Sequence, residues 1–316
     1  MRRVIAGIVI ATLAGVVACN REPATTTNAR PKVAFVMKTL NHPFFLDMQQ
    51  GATKAAAGLN IDLVVQAAER ELDVEKQMQI IENLLQTGVQ ALIVTPSGSK
   101  EIVSAIAMAN RANIPVVVAD TRVDAAAASA AGLKLVSFVG YDNYEGGRIA
   151  GQFLVDASKG SAKVIILEGI PGHETGDQRL RGFKEAIAKS PGITVLGSQP
   201  ANWERDQGFT VAQNLLQAHQ DVDTVFACND LMALGALEAI AAAGRTGKIR
   251  VIGYDALDDA RKAIADGRMA ASVAQSPSEM GRIAVESAVK AIKGESVPQE
   301  QSVPITLVTR ESAGGK

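Results

Sequence analysis

Eight short runs of consecutive apolar residues, each separated from the next by room for a helix, constrain this chain more than any other feature. VAFVM (33–37), DLVVQ (62–66), ALIVT (91–95) and PVVVA (115–119) fall in the first half, and KVIIL (163–167), ITVLG (193–197), DTVFA (223–227) and IRVIG (249–253) in the second. Unbroken apolar runs of strand length suit strands covered on both faces by helices, as in parallel sheets. The clearest helical stretch puts Val74, Met78, Ile81 and Leu85 on one stripe, widened by Ile80 and Leu84, with Asp73 as N-cap and Gly88 as stop. Further helices are expected near 174–189, 204–218 and 230–243. Alternation of this kind predicts an α/β chain with two doubly wound parallel-sheet lobes.

The first thirty residues stand outside that pattern. Arg2 and Arg3 precede an apolar run from Val4 to Val17, too short to span a bilayer comfortably and suited to a signal-peptide core. It ends in Val16-Val17-Ala18-Cys19, which resembles a bacterial lipobox and implies cleavage before Cys19 and lipidation of its thiol. Residues 1–18 are therefore read as a lipoprotein signal peptide and 19–31 as a lipidated, disordered tether, since NREPATTTNAR is polar throughout. The expected location is exported, periplasmic or at the cell surface, with the membrane reached through the lipid anchor only.

Several chemistries lose their support. A net charge of -1 shows no bias toward nucleic acid. With Cys19 lipidated, Cys228 has no disulfide partner, and at the end of the apolar run TVFAC it reads as a small buried hydrophobe. Three histidines and two cysteines without metal-ligand spacing predict no metal site. No GxGxxG or GxxxxGK[ST] follows a strand, so no cofactor is expected; Gly146-Gly147 opens a helical stretch without the turn spacing.

The two halves correspond. ALIVT, a helix, then PVVVA-Asp120 matches TVFAC, a helix, then IRVIGY-Asp255, so an aspartate closes a strand of the same ordinal position in each half. Ligands of open α/β sheets gather outside the carboxyl ends of strands, where these two would face each other across a cleft. The simpler role for either is to cap the next helix. A sugar needs aromatic plates for its C–H faces and charged or amide groups for its hydroxyl rim. Phe44 and Phe45 in LNHPFF and Trp203 in QPANWERDQ are the candidate plates; Trp203 has polar neighbours and is read as a rim residue that contributes little core. Asp120, Arg179, Asn229, Asp255 and Gln275 are the polar candidates, with Asp230 assigned the helix-capping role next to Asn229.

LNHPFF, the Asp120 strand end, EGIPGHETGDQRLRGF (168–183), ACNDLMALGAL (227–237), VIGYD (251–255) and SVAQSP (272–277) resemble the ribose/galactose-type periplasmic sugar-binding proteins, in the family's order from about Lys32 to Arg310. The resemblance implies the type I periplasmic binding protein fold, with a multi-strand hinge crossing near 140, 275 and 304. The N-terminal lobe is then 32–140 and 276–304, the C-terminal lobe 141–275 and 305–316. Phe44, Asp120, Arg179, Trp203, Asn229, Asp255 and Gln275 match positions that contact sugar, and Phe45 and His173 match contacts in some members. His42, Thr121 and Asp177 depart from the ribose-binding pattern, which has asparagine at the first and arginine at the other two. They join the expected ligand-binding set, and ribose is not expected to be the best ligand.

The implied role is a monomeric solute-binding protein of an ABC importer, which closes on a monosaccharide or polyol and presents it to permease subunits. An exported sensor feeding a chemoreceptor or kinase is the alternative. A lac-type repressor needs a basic helix-turn-helix where this chain has a signal and tether. A glycosidase would use the aspartates as an acid/base pair, but the fork donors and amides around them favour hydroxyl binding, and no catalytic residue is assigned.

Overall fold

The computed structural model describes residues 30–313, so the expected signal segment and the expected lipidation at Cys19 fall outside the described residues. The expected architecture is present as two six-stranded sheets. The first carries β1 (Lys32–Thr39), β2 (Asp62–Ala68), β3 (Ala91–Val94), β4 (Val116–Ala119) and β5 (Ser137–Gly140). The second carries β6 (Ser161–Glu168), β7 (Gly192–Pro200), β8 (Thr224–Ala227), β9 (Arg250–Asp255) and β10 (Ala271–Ala274). Both run in one order, β5-β4-β3-β1-β2 and β10-β9-β8-β6-β7, with all of these neighbours parallel. Asp120 and Asp255 therefore do close equivalent strands. Two short late strands complete the sheets: β11 (Glu300–Ser302) adds parallel to β5, and β12 (Thr306–Thr309) adds antiparallel to β10. A purely parallel second sheet was expected. The antiparallel edge arises because the chain reaches it through a short link from the first sheet rather than through a crossover helix.

Period-two burial sorts the first sheet's side chains into two layers. Val33, Phe35 and Met37 face α1 (Pro43–Gly58) and α10 (Pro277–Ile292); Ala34 and Val36 face α2 (Val74–Leu85) and α3 (Val103–Arg111). α2 is turned from its expected stripe: Gln77, Ile80, Ile81 and Leu84 are buried, and Gln77 joins Met37 O, Thr95 O and the Ser97 amide. Asp73 does not cap it, because its carboxylate is held by Arg70 at 2.8 Å. DLVVQ and ITVLG become edge strands with partly exposed faces, not strands covered on both sides. In the second lobe, α6 (Glu174–Ile187), α7 (Arg205–Ala218) and α8 (Asp230–Ala242) stand where they were expected.

α5 (Asn143–Ser158) lies against α6, and Gly147 permits that approach while Gly146 makes room for Tyr254 of β9. A Cβ on Gly147 would sit 2.0 Å from Arg179 O, and one on Gly146 would sit 1.9 Å from the Tyr254 hydroxyl. The chain moves between the sheets after Gly140, after Ala274 and after Ser302.

Candidate functional site

The carboxyl ends of both sheets meet around a narrow cavity of about 30 Å³ lined by Lys38, His42, Phe44, Phe45, Glu71, Asp120, Thr175, Arg179, Trp203, Asn229 and Asp255. Asp120 and Asp255 reach it from left-handed backbone, at φ 65° and 105°, and Trp203 at φ 69°. Few non-glycine residues adopt such angles, and strain of this kind gathers where a side chain must be aimed.

Each aspartate has a cation. Asp120 Oδ2 lies 3.0 Å from Lys38 Nζ, which also lies 3.6 Å from Glu71. Burial works against the Lys38 ammonium, but Asp120 and then Glu71 outweigh it, so its pKa is raised. Burial pushes the Glu71 carboxyl up to about 7, with Lys38 opposing. On the other wall Asp255 lies 3.5 Å from Arg179 Nη1. Burial raises its pKa well above the usual carboxylate range against the pull of Arg179. Arg179 is fixed on every side: it donates to Asn143 Oδ1 (2.9 Å) and Cys228 O (2.8 Å), and its guanidinium stacks 3.7 Å over the Tyr254 ring.

The amide and imidazole present donors. His42 caps α1, its Nδ1 accepting the Phe44 N–H at 3.1 Å, so the neutral ring carries its proton on Nε2. Burial, then Lys38, lowers its pKa to about 4. Asn229 Nδ2 lies 3.4 Å from that Nε2, while its Oδ1 accepts the Met232 N–H. One Asn229 amide N–H goes to Trp203 O at 3.0 Å, and the other converges with the His42 Nε2–H with no acceptor between them, an arrangement a ligand hydroxyl oxygen would satisfy. Asn229, not Asp230, is therefore the α8 cap. Asp230 is buried behind it, accepting the Ser272 hydroxyl and the Leu257 N–H, each at 2.8 Å.

Trp203 corrects the rim expectation. It is 5% exposed, belongs to the second lobe's core, and its ring fills the space a Cβ would need at Gly169 and Gly176. It lines the cavity as part of the wall. Phe44 and Phe45, buried and edge-to-face at 5.2 Å, serve as core and cavity wall together. Cys228 is buried, and burial pushes its thiol up to about 12.

Eight of the twelve sequence candidates line the cavity; Thr121, His173, Asp177 and Gln275 do not. Asp177 is exposed, because two residues from Arg179 on a helix is more than half a turn round. Thr175, one turn before Arg179, holds the facing position. Thr121 and His173 are buried between the lobes, and Gln275 donates to Asp255 Oδ1 at 3.3 Å from behind. Lys38 and Glu71 were missed. Lys38 was legible, since a lysine ends the apolar run VAFVM at the carboxyl end of β1, beside the point where the strand order reverses. Glu71 sits in a loop of charged residues and carried no such signal.

A model of the periplasmic binding protein domain matches residues 33–296. The ribose import binding protein of Escherichia coli is 38% identical over 302 residues, which make up 96% of this chain and 98% of that protein. The D-ribose/D-allose-binding protein of Pseudomonas aeruginosa is 34% identical over 98% of each chain. An ABC transporter periplasmic solute binding protein from Actinobacillus succinogenes, solved with bound D-allose, is 39% identical, with a TM-score of 0.85 over 90% of this chain and 99% of that one.

Proposed function

The chain belongs to the periplasmic binding protein family, and from that premise we propose that it captures a monosaccharide or related polyol between its lobes and delivers it to an ABC importer. The observation that carries this reading is the cavity itself. Carboxylate–cation pairs face a shared small space, with aromatic rings between them and an unpaired imidazole N–H at His42 beside the Asn229 amide. Charge-assisted acceptors and fixed donors suit vicinal hydroxyls, and rings suit the C–H faces. Hinge closure around a ligand is a property of this family. Here the hinge is the three links between the sheets, and contacts from both walls favour the closed form. The aspartates bind rather than catalyse, each being held by a cation. The lipid anchor at Cys19 and the monomeric state belong to the same reading.

Asp177 and Thr121 stand outside the cavity, so of the three departures from the ribose pattern His42 is the one that lines it. The test is thermal shift followed by calorimetry with ribose, allose, xylose, galactose, glucose and glycerol. Micromolar or tighter binding of at least one is expected, with ribose not the tightest. No binding across monosaccharides and polyols would overturn the functional reading, and ribose ahead by tenfold or more would overturn the specificity argument alone.

A further inference from the structure

The lobes touch directly on one flank of the cleft, at the first turn of α6. Thr175 Oγ1 lies 2.9 Å from Thr121 Oγ1, which itself lies 3.0 Å from Asp120 Oδ2. A hydroxyl has one proton, so Thr121 donates to the Asp120 carboxylate and its oxygen accepts from Thr175. Beside this pair the Glu174 N–H points to Ser99 Oγ at 3.4 Å. His173, 5% exposed, lies against the Ser97 backbone. Ser97, Ser99 and Thr121 belong to loops after β3 and β4 of the first sheet, whereas 173–175 open a helix packed on the second. Of these residues only Thr175 reaches the cavity wall.

We propose that this flank is a clasp: positioning residues that hold the lobes together without ligand and thereby set affinity for every ligand alike. The thermodynamics follow from counting states. Apparent affinity is the closed form's intrinsic affinity scaled by the fraction closed, so a contact outside the cavity changes strength without changing preference. A ligand contact at Thr121 would behave differently, because removing its hydroxyl would weaken some sugars and spare others.

The experiment uses the full chain with spin labels at Leu72→Cys, in the loop before α2, and Asp206→Cys, in the first turn of α7, exposed positions one on each lobe. Distances are measured without sugar, alongside calorimetry for the panel above. The unsubstituted clasp is expected to give a short-distance population before any sugar is added. Thr121→Val should deplete that population and lower affinity three- to tenfold for each bound sugar, with their order unchanged. Ser99→Ala, which leaves the Asp120 neighbourhood intact, should do the same more weakly and covers the case in which Thr121→Val folds poorly. An unchanged sugar-free distance distribution in both variants overturns the clasp, as does a reordering of sugars by Thr121→Val. The proposal rests on lobe closure, but its sugar-free readout stands even where no tested sugar binds, so its failure is distinct from failure of the functional reading.

Discussion

Trp203→Ala removes the largest side chain on the cavity wall, and the structure makes it a folding substitution as well as a binding one. The ring is 5% exposed and packed against Gly169 and Gly176, which have no side chains to move into the vacated space. Truncation of a buried tryptophan with little collapse costs about 3–5 kcal/mol. Against a total stability of about 5–15 kcal/mol, that is a large fraction. The wall it supplies to a sugar is worth a further ~1.5–4 kcal/mol, or about 10- to 1,000-fold in affinity. The two effects separate by assay. Urea unfolding followed by far-UV circular dichroism, chosen because the variant loses the chain's one tryptophan, should show a lower midpoint at unchanged slope. Calorimetry at a urea-free temperature where the variant is folded gives the binding loss. Trp203→Phe, which keeps an aromatic plate, should recover most of both. A midpoint equal to wild type would refute the packing argument, and equal affinity would remove the ring from the site.

Lys38→Met leaves Asp120 and Glu71 buried without their cation, and should cost about 3–5 kcal/mol of stability and most sugar affinity; a variant as stable as wild type would show that the pair is not a buried network. The pH dependence follows from opposing groups. His42 and His173, whose pKa values burial lowers to about 4, lose stability as pH falls from about 6.5 toward 4; Glu71 and Asp230, which burial raises to about 7, gain it as pH falls from about 7 to 4.5. Glu71→Gln removes one gain, so relative to wild type it should lose up to about 3 kcal/mol across that window, and parallel urea midpoints from pH 7 to 4.5 would count against it. Cys19→Ala should abolish fatty-acid labelling in a lipidating bacterial host, and an unlabelled but correctly secreted wild type would end the anchor proposal.

The sequence by itself determined the alternation, the paired aspartates and most of the cavity wall. Strand runs are local in sequence, and a residue at a strand's carboxyl end is placed by the fold class before any contact is known. Lys38 belongs to that legible set although it was passed over. What the tertiary structure decided depends on angles and partners that no run of residues records. Trp203 has polar chain neighbours, yet its core contacts are Gly169 and Gly176, more than twenty residues away. Asp177 and Arg179 are adjacent in any motif but lie on different faces of α6, because a helix turns about 100° per residue. Asn229 and Asp230 both suit a cap, and the choice fell to Asn229 because Asp230 was claimed by Ser272 and Leu257 from other elements. Thr121 reads as a ligand position from its place after β4, and only the approach of Thr175 across the cleft makes it a contact between lobes.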